Sequence, residues 1–381
     1  MPAITRGVRP GKLLIAAALC ALAAAGAAIA LAADGGSGGK GPAGPGASAS
    51  AAEALTPKQL TGQRIVCGFD GRRAPSGLLR VLERGELAGV ILFEDNIGSR
   101  RAVRRMTGAI QATKRPPGLR GPLLISVDQE GGLVKRLQGP PNASAQVMGA
   151  RGPAYARRQG AATGKSLRGV GINVDLAPVL DVARRGGFID QQMRAFGRKP
   201  GRVSRVGVAF ARGLESRGVA ATAKHFPGLG ATGANTDLRP STIRLQAGVL
   251  RKVDERPYQR YVAADGDLVM VSSARYSALG TGKLPASQSK RVIRHELRGR
   301  LGFEGVTITD SLEAPGARVG ASPAKVAIRA AAAGSDLLLY VHCDAGMRAA
   351  LSLRRALASG RLDRAEFEDS VDRILALRGS L

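Results

Sequence analysis

From residue 60 onward the sequence repeats one pattern: a short run rich in aliphatic and β-branched residues, then a longer stretch with apolar residues three or four apart. Eight such runs can be counted, at 64–67, 89–93, 123–128, 172–176, 221–226, 268–273, 306–310 and 336–341. Stretches of helical period lie between them, including 76–87, 101–114, 203–217, 289–301 and 323–333, and a last one closes the chain near 364–377. A strand that must be followed by a parallel neighbour needs a crossover of about a dozen residues, which a helix supplies. Eight repeats of that unit predict an α/β chain folded as a single (β/α)8 TIM-type barrel over residues 56–381. Such barrels carry their chemistry at the C-terminal ends of the strands. With 44% hydrophobic and only 3% aromatic residues, the core is expected to be filled by aliphatic side chains, and disorder is excluded for most of the chain.

The first 55 residues follow a different pattern. Arg6, Arg9 and Lys12 precede an apolar run from Leu13 to Ala33, with small residues at Ala30-Leu31-Ala32. Basic residues before such a run orient it for export, so residues 1–33 are expected to be a signal peptide or a membrane anchor. Residues 34–55 are mostly Gly, Ala, Ser and Pro and are expected to form a linker. The predicted location is therefore extracellular or at the cell envelope, secreted or anchored. Of the three cysteines, Cys20 lies in the apolar run. Cys67 and Cys343 fall near the first and last strands, which adjoin in a closed barrel. The expectation is two buried free thiols, a disulfide being geometrically conceivable in an oxidising compartment.

Lys and Arg number 57 against 29 Asp and Glu, a net charge of +28 spread along the chain without a polybasic block. That surface favours polyanions such as an anionic cell-wall polymer or membrane surface. Nucleic acid is not expected, because zinc-finger spacing, an RNP-like aromatic cluster and Trp are all missing. Three histidines and no paired Cys/His spacing predict no metal site. The run Gly228-x-Gly230-x-x-Gly233 matches a dinucleotide fingerprint, but Pro240 interrupts what should be the following helix, so no cofactor is expected. The oligomeric state expected is a monomer.

Three polar, Gly-rich segments stand where barrel strands should hand over to loops: Asp128-Gln-Glu-Gly-Gly-Leu-Val-Lys-Arg136, Lys224-His-Phe-Pro-Gly-Leu-Gly230 and Thr307-Ile-Thr-Asp-Ser-Leu312. Together with the segments 171–182, Arg194-Ala-Phe-Gly197 and Pro285-Ala-Ser287, they resemble glycoside hydrolase family 3, especially its single-domain bacterial β-N-acetylhexosaminidases. The resemblance runs from about residue 60 to 345. It implies a retaining, two-step hydrolysis that removes terminal β-N-acetylhexosamine, most simply N-acetylglucosamine, through a glycosyl-enzyme. Asp310 would be the nucleophile, although an Asp in that place can also cap the next helix. Asp128 would grip sugar hydroxyls, Arg136 and Arg194 would line the pocket, and Lys224 and His225 would hold the sugar. Considered singly, the two arginines read as surface ion-pair residues and His225 as a structural histidine. Asp175 and Asp181 are read as structural, holding loop backbone or Arg neighbours.

The sequence departs from the family's pattern in one loop. Where the enzymes it resembles carry Asp-Ser-His, with the His as general acid/base, this chain reads Asn235-Thr236-Asp237, and the His of Pro-Gly-His-Gly is Leu229. Asp237 could serve as the acid of a two-carboxylate pair with Asp310 if its site raises its pKa from near 4. Glu94, Asp95 and Asp190 are further loop carboxylates. Two readings stay open: a hydrolase impaired by its altered acid/base loop, and a glycan-binding protein with little turnover. A phosphate-binding barrel fits less well, because the seventh strand ends in Asp310-Ser-Leu-Glu rather than a Gly-rich loop.

Overall fold

The computed structural model describes residues 50–381. The expected signal or anchor segment, and the linker up to residue 49, lie outside the described residues. Among those described, no helix is long and apolar enough to cross a membrane.

Eight parallel strands appear in the expected places: β1 (Ile65–Cys67), β2 (Gly89–Leu92), β3 (Leu124–Val127), β4 (Val174–Asp175), β5 (Ala220–Phe226), β6 (Leu268–Val271), β7 (Val306–Thr309) and β8 (Leu338–Tyr340). Each pairs with its sequence neighbours, and β1 also pairs with β8, Ile65 opposite Leu338. The β7–β8 seam is drawn together by a bridge between Ile308 and Leu337, and by the Thr309 N–H donating to the Leu337 carbonyl at 2.9 Å. The sheet is thus a closed (β/α)8 barrel of the TIM type.

Strand alternation sorts the apolar residues into two layers. Val66, Ile91, Val174, Leu268, Met270, Ile308 and Leu339 fill the barrel interior, whereas Ile65, Val90, Leu92, Ile125 and Val269 face the helical ring. The helices begin and end where the local chemistry dictates. The segment expected at 323–333 is the helix Pro323–Ala333: Ser322 caps it, Pro323 opens it, and Gly334 closes it in a left-handed conformation at φ +101°. Strand β4 is shorter than expected because the Asn173 side chain replaces part of the ladder. Its Oδ1 accepts from the Ile125 N–H at 2.7 Å, and its Nδ2 donates to the Leu123 carbonyl at 2.9 Å.

Two expectations are corrected. The linker does not extend to residue 55: Ala52 and Leu55 are buried in the helical-layer core. The Asp372 carboxylate takes hydrogen bonds from the Ser50 hydroxyl and the Ala52 N–H, at 2.5 and 3.0 Å. The folded body therefore begins by residue 50, because this segment supplies both apolar side chains and partners for a helix carboxylate. The cysteines are not free thiols: Cys67 and Cys343 form a disulfide. Cys67 points outward from β1, and Cys343 opens the helix Cys343–Ala358 that follows β8, so closing the barrel brings their Cα atoms to 4.9 Å across 276 residues of sequence.

Candidate active site

The residues at the C-terminal ends of the strands enclose a pocket of about 330 Å³. Its floor is the top of the barrel interior, Ile91, Leu176, Met270 and Leu339. Asp128, Arg136, Arg194, Lys224, His225, Asp237 and Asp310 all line it. The structure therefore brings together every site residue expected from sequence, drawn from four different strand–loop junctions.

Lys224 and His225 are adjacent in β5, so regular alternation would send one of them outward. A register shift prevents this. Lys224 lies opposite Met270 and Phe226 opposite Val271, which leaves His225 as the extra residue of a bulge, and both side chains reach the pocket. The Asp181 carboxylate anchors the bulge from behind. One oxygen accepts from the backbone N–H groups of His225 and Leu229, at 3.2 and 2.6 Å, and the other lies 2.8 Å from His225 Nδ1. Asp181 is thus structural, as expected, and its partner is a pocket residue. The glycines of the same loop form no helix. A side chain on Gly230 would meet the Val182 carbonyl oxygen within 1.9 Å, so close packing explains that glycine, not a pyrophosphate.

The segment after β3 is organised by a residue that sequence reasoning did not single out. Buried Gln129 accepts from the N–H groups of Arg136 and Leu137 and donates to the carbonyls of Leu137 and Pro140, folding the loop so that Arg136 returns to the pocket. Its neighbour Glu130, also not singled out, lies beneath the site. It binds Arg194 through two 2.8 Å hydrogen bonds and Lys224 Nζ at 2.7 Å. Burial opposes the charge of Glu130, but the two cations outweigh it and hold its carboxyl down to about 2. Lys224 Nζ also donates to Asp128 Oδ1 at 2.6 Å, and Arg136 stands 3.7 Å from Asp128 Oδ2. A signal for Glu130 was present, since it belongs to the quoted Asp128–Arg136 segment. Its role depends on Arg194, 64 residues away.

Asp175 lies below this network, fully buried. One oxygen accepts from the Gln129 N–H at 3.0 Å and the other has no partner. Burial pushes it up to about 8, so it is neutral at pH 7.

The two remaining carboxylates have a different setting. Asp310 follows β7 and is half-buried. Its N–H donates to the Val271 carbonyl, and its Oδ1 accepts from the Ser311 N–H at 2.8 Å. Asp237 sits exposed on the rim, its N–H bonded to Asn235 Oδ1 at 3.0 Å. The negative charge of Asp310 raises Asp237 to about 6. The other loop carboxylates are engaged elsewhere: Glu94 meets Arg136 at the surface, Asp95 accepts from the Gly71 N–H, and Asp190 pairs with Arg198. Among the described residues no group of His, Cys, Asp and Glu side chains is arranged to hold a metal ion.

A closed barrel whose C-terminal rim gathers carboxylates and cations around one pocket has the layout of a (β/α)8 enzyme of the hydrolase type. The chain belongs to glycoside hydrolase family 3, matching the glycosyl hydrolase family 3 N terminal domain over residues 66–377. It is 38% identical over 329 residues to an "uncharacterized secreted glycosyl hydrolase" of Arthroderma benhamiae, covering 84% of this chain and 92% of that one. It is 35% identical to a β-hexosaminidase of Stenotrophomonas maltophilia, over 68% of this chain and 78% of the relative. Among solved structures it superposes with TM-score 0.81 and 33% identity on a family 3 β-N-acetylglucosaminidase from a Paenibacillus species. That match covers 86% of this chain and 63% of the longer Paenibacillus chain.

Proposed function

We propose that this protein is an exported retaining glycosidase that removes terminal β-N-acetylhexosamine, N-acetylglucosamine first among such sugars, from glycans of the cell-wall type. Asp310 attacks the anomeric carbon and the glycosidic bond breaks. Asp237 gives its proton to the departing oxygen, then takes one from the water that releases the sugar. Asp128 accepts sugar hydroxyls, while Arg136, Arg194, Lys224 and His225 supply donors.

The observation that carries this reading is that Asp310 and Asp237 line one pocket with Asp128, Arg136, Arg194, Lys224 and His225, and the charge of Asp310 raises Asp237 in support of it. A carboxyl held protonated by a neighbouring carboxylate fits the acid of a two-carboxylate pair. The relatives named as hexosaminidases support the choice of sugar, and the relative named as secreted supports export.

One feature favours the alternative, a glycan-binding protein with little turnover: the loop holds no histidine, and Asn235 bonds the Asp237 backbone instead of orienting an acid. Incubation with a chromogenic N-acetyl-β-glucosaminide beside the matching glucoside separates the two. Release from the first and not the second is expected. Binding of N-acetylglucosamine without release from either would select the binding protein.

A further inference from the structure

The end of the barrel opposite the pocket carries a second charged cavity. Arg64 immediately precedes β1 and Asp336 lies two residues before β8, so both stand at the N-terminal rim. The closing helix Arg364–Gly379 covers that rim, with Ile374 and Leu377 packed against the barrel interior. Between it and the helices Arg291–Arg300 and Pro323–Ala333 lies a cavity of about 210 Å³. Six cations line it, Arg64, Lys290, Arg294, Arg298, Arg361 and Arg373, against three carboxylates, Asp363, Glu366 and Asp369.

Half of these cations are already matched. Arg294 pairs with Glu366, while Arg298 and Arg373 share the buried Asp336 at 2.6 and 2.8 Å. Asp363 caps the closing helix by accepting from the Glu366 N–H at 2.8 Å, and Asp369 stands at the exposed edge. Arg64, Lys290 and Arg361 have no carboxylate partner among the described residues. Arg64 matters most, because it is only 1% exposed. Its Nε donates to the Asp336 carbonyl at 3.0 Å, its Nη2 donates to the Ser335 carbonyl, and its guanidinium carbon lies 4.1 Å from the centre of the Phe367 ring. Its Nη1 makes no hydrogen bond among the described residues. Burial pushes this guanidinium down to about 10; Asp336 opposes the shift, and Arg373 and Arg294 add to it. A desolvated cation with a free donor, in a cavity lined by further cations, is stabilised by an incoming anion.

We propose that this cavity binds a phosphate group. With Asp336 included, six cations face four carboxylates, and the surplus of two matches a phosphate dianion. Guanidinium groups meet phosphate oxygens through paired N–H donors, and Lys290 adds a mobile point charge. Barrels that hold a substrate's phosphate do so at the C-terminal ends of their strands. This cavity is at the other end, so phosphate bound there leaves the catalytic pocket open.

The test follows thermal unfolding and calorimetric binding of the full chain in sodium phosphate and in sodium chloride of equal ionic strength, at about pH 8, where phosphate is chiefly a dianion. One phosphate per chain should bind and raise the unfolding midpoint by a few degrees, and chloride should not. Lys290→Ala with Arg361→Ala, both at exposed positions, should weaken phosphate at least about tenfold, the least that one hydrogen bond to a charged group contributes. Arg101→Ala with Arg104→Ala removes the same charge from the helix Arg100–Gln111 and should leave the affinity unchanged. Absence of phosphate binding, binding that survives the first pair, or equal weakening by both pairs would overturn the site. Displacement of phosphate by N-acetylglucosamine would overturn it as well, by placing the anion in the catalytic pocket. Glycerol 3-phosphate titrated in parallel identifies the source: binding lost in the first pair assigns the site to an esterified phosphate, and failure to bind beside bound phosphate assigns it to the free ion.

Discussion

The two sides of the pocket are built on opposite electrostatic plans. On the β3–β5 side, Glu130, Asp128, Arg194 and Lys224 interlock at 2.6–2.8 Å, and Asp181 fixes His225 from behind. Each charge there is compensated before any ligand arrives, so the donors are held at fixed positions with little reorganisation left for binding. Asp310 after β7 and Asp237 on the rim loop after β5 have no Lys or Arg partner among the described residues and are steadied by hydrogen bonds at their backbones. An arginine beside Asp237 would lower its proton affinity, and one beside Asp310 would quench its attack. Groups that bind can be paired in advance, whereas groups that react have to be left unpaired.

The largest effect should come from the unpaired side. Asp310→Asn keeps the shape and the Ser311 contact but cannot attack, so kcat should fall by about 10⁴-fold or more, with thermal unfolding almost unchanged. Wild-type turnover in that variant would break the contrast at its centre.

A smaller and more selective loss is expected from Asp237→Ala. Hydrolysis of alkyl or glycosyl substrates should drop by about 10²–10⁴-fold, and that of activated aryl glycosides far less, because their leaving groups hardly need a proton. With its pKa raised to about 6, Asp237 acts as an acid while protonated, so kcat/KM on poor leaving groups should decline as pH climbs past 6. The variant should lose that alkaline limb. An unchanged pH profile would exclude Asp237 as the acid.

The paired side predicts a loss of stability and binding with chemistry less affected. Glu130→Gln leaves Arg194 without its buried anion and Lys224 with Asp128 alone, at a stability loss of about 3–5 kcal/mol, and KM should rise more than kcat falls. The folded-state pKa of about 2 lies below the ordinary carboxylate value, so the ionised Glu130 stabilises the fold above pH 4.5 and the effect fades as pH falls toward 2. Chemical unfolding at pH 7 and pH 3 should therefore differ by less in the variant than in the parent. Equal pH sensitivity would show that Glu130 does not anchor this side.

Much of this plan was legible in the sequence because barrel strands announce themselves. An aliphatic run that ends in Asp310 or in Lys224-His225 marks both a strand and the end that opens on the pocket, and the helix at 323–333 carries its own start and stop residues. Glu130 was not legible. A carboxylate in a Gly-rich loop reads the same whether it faces solvent or two buried cations, and only Arg194 and Lys224 arriving from other units make it an anchor. Residues 50–55 were read as linker for a similar reason, since an Ala-rich stretch shows no period until Ala52 and Leu55 meet a helix brought from the far end of the chain.

By itself the sequence set out the barrel and its eight strand ends, with Asp128, Lys224-His225 and Asp310 upon them, because period is a local property; Arg136, Arg194 and Asp237 were picked out only by the resemblance to the family's motifs. Only the tertiary structure decided which charges pair. It set the bulge that turns His225 inward beside Lys224, the proton affinity that Asp310 confers on Asp237, and the meeting of Cys67 with Cys343. Each of these depends on distances between residues far apart in the chain, and those distances exist only once the barrel closes.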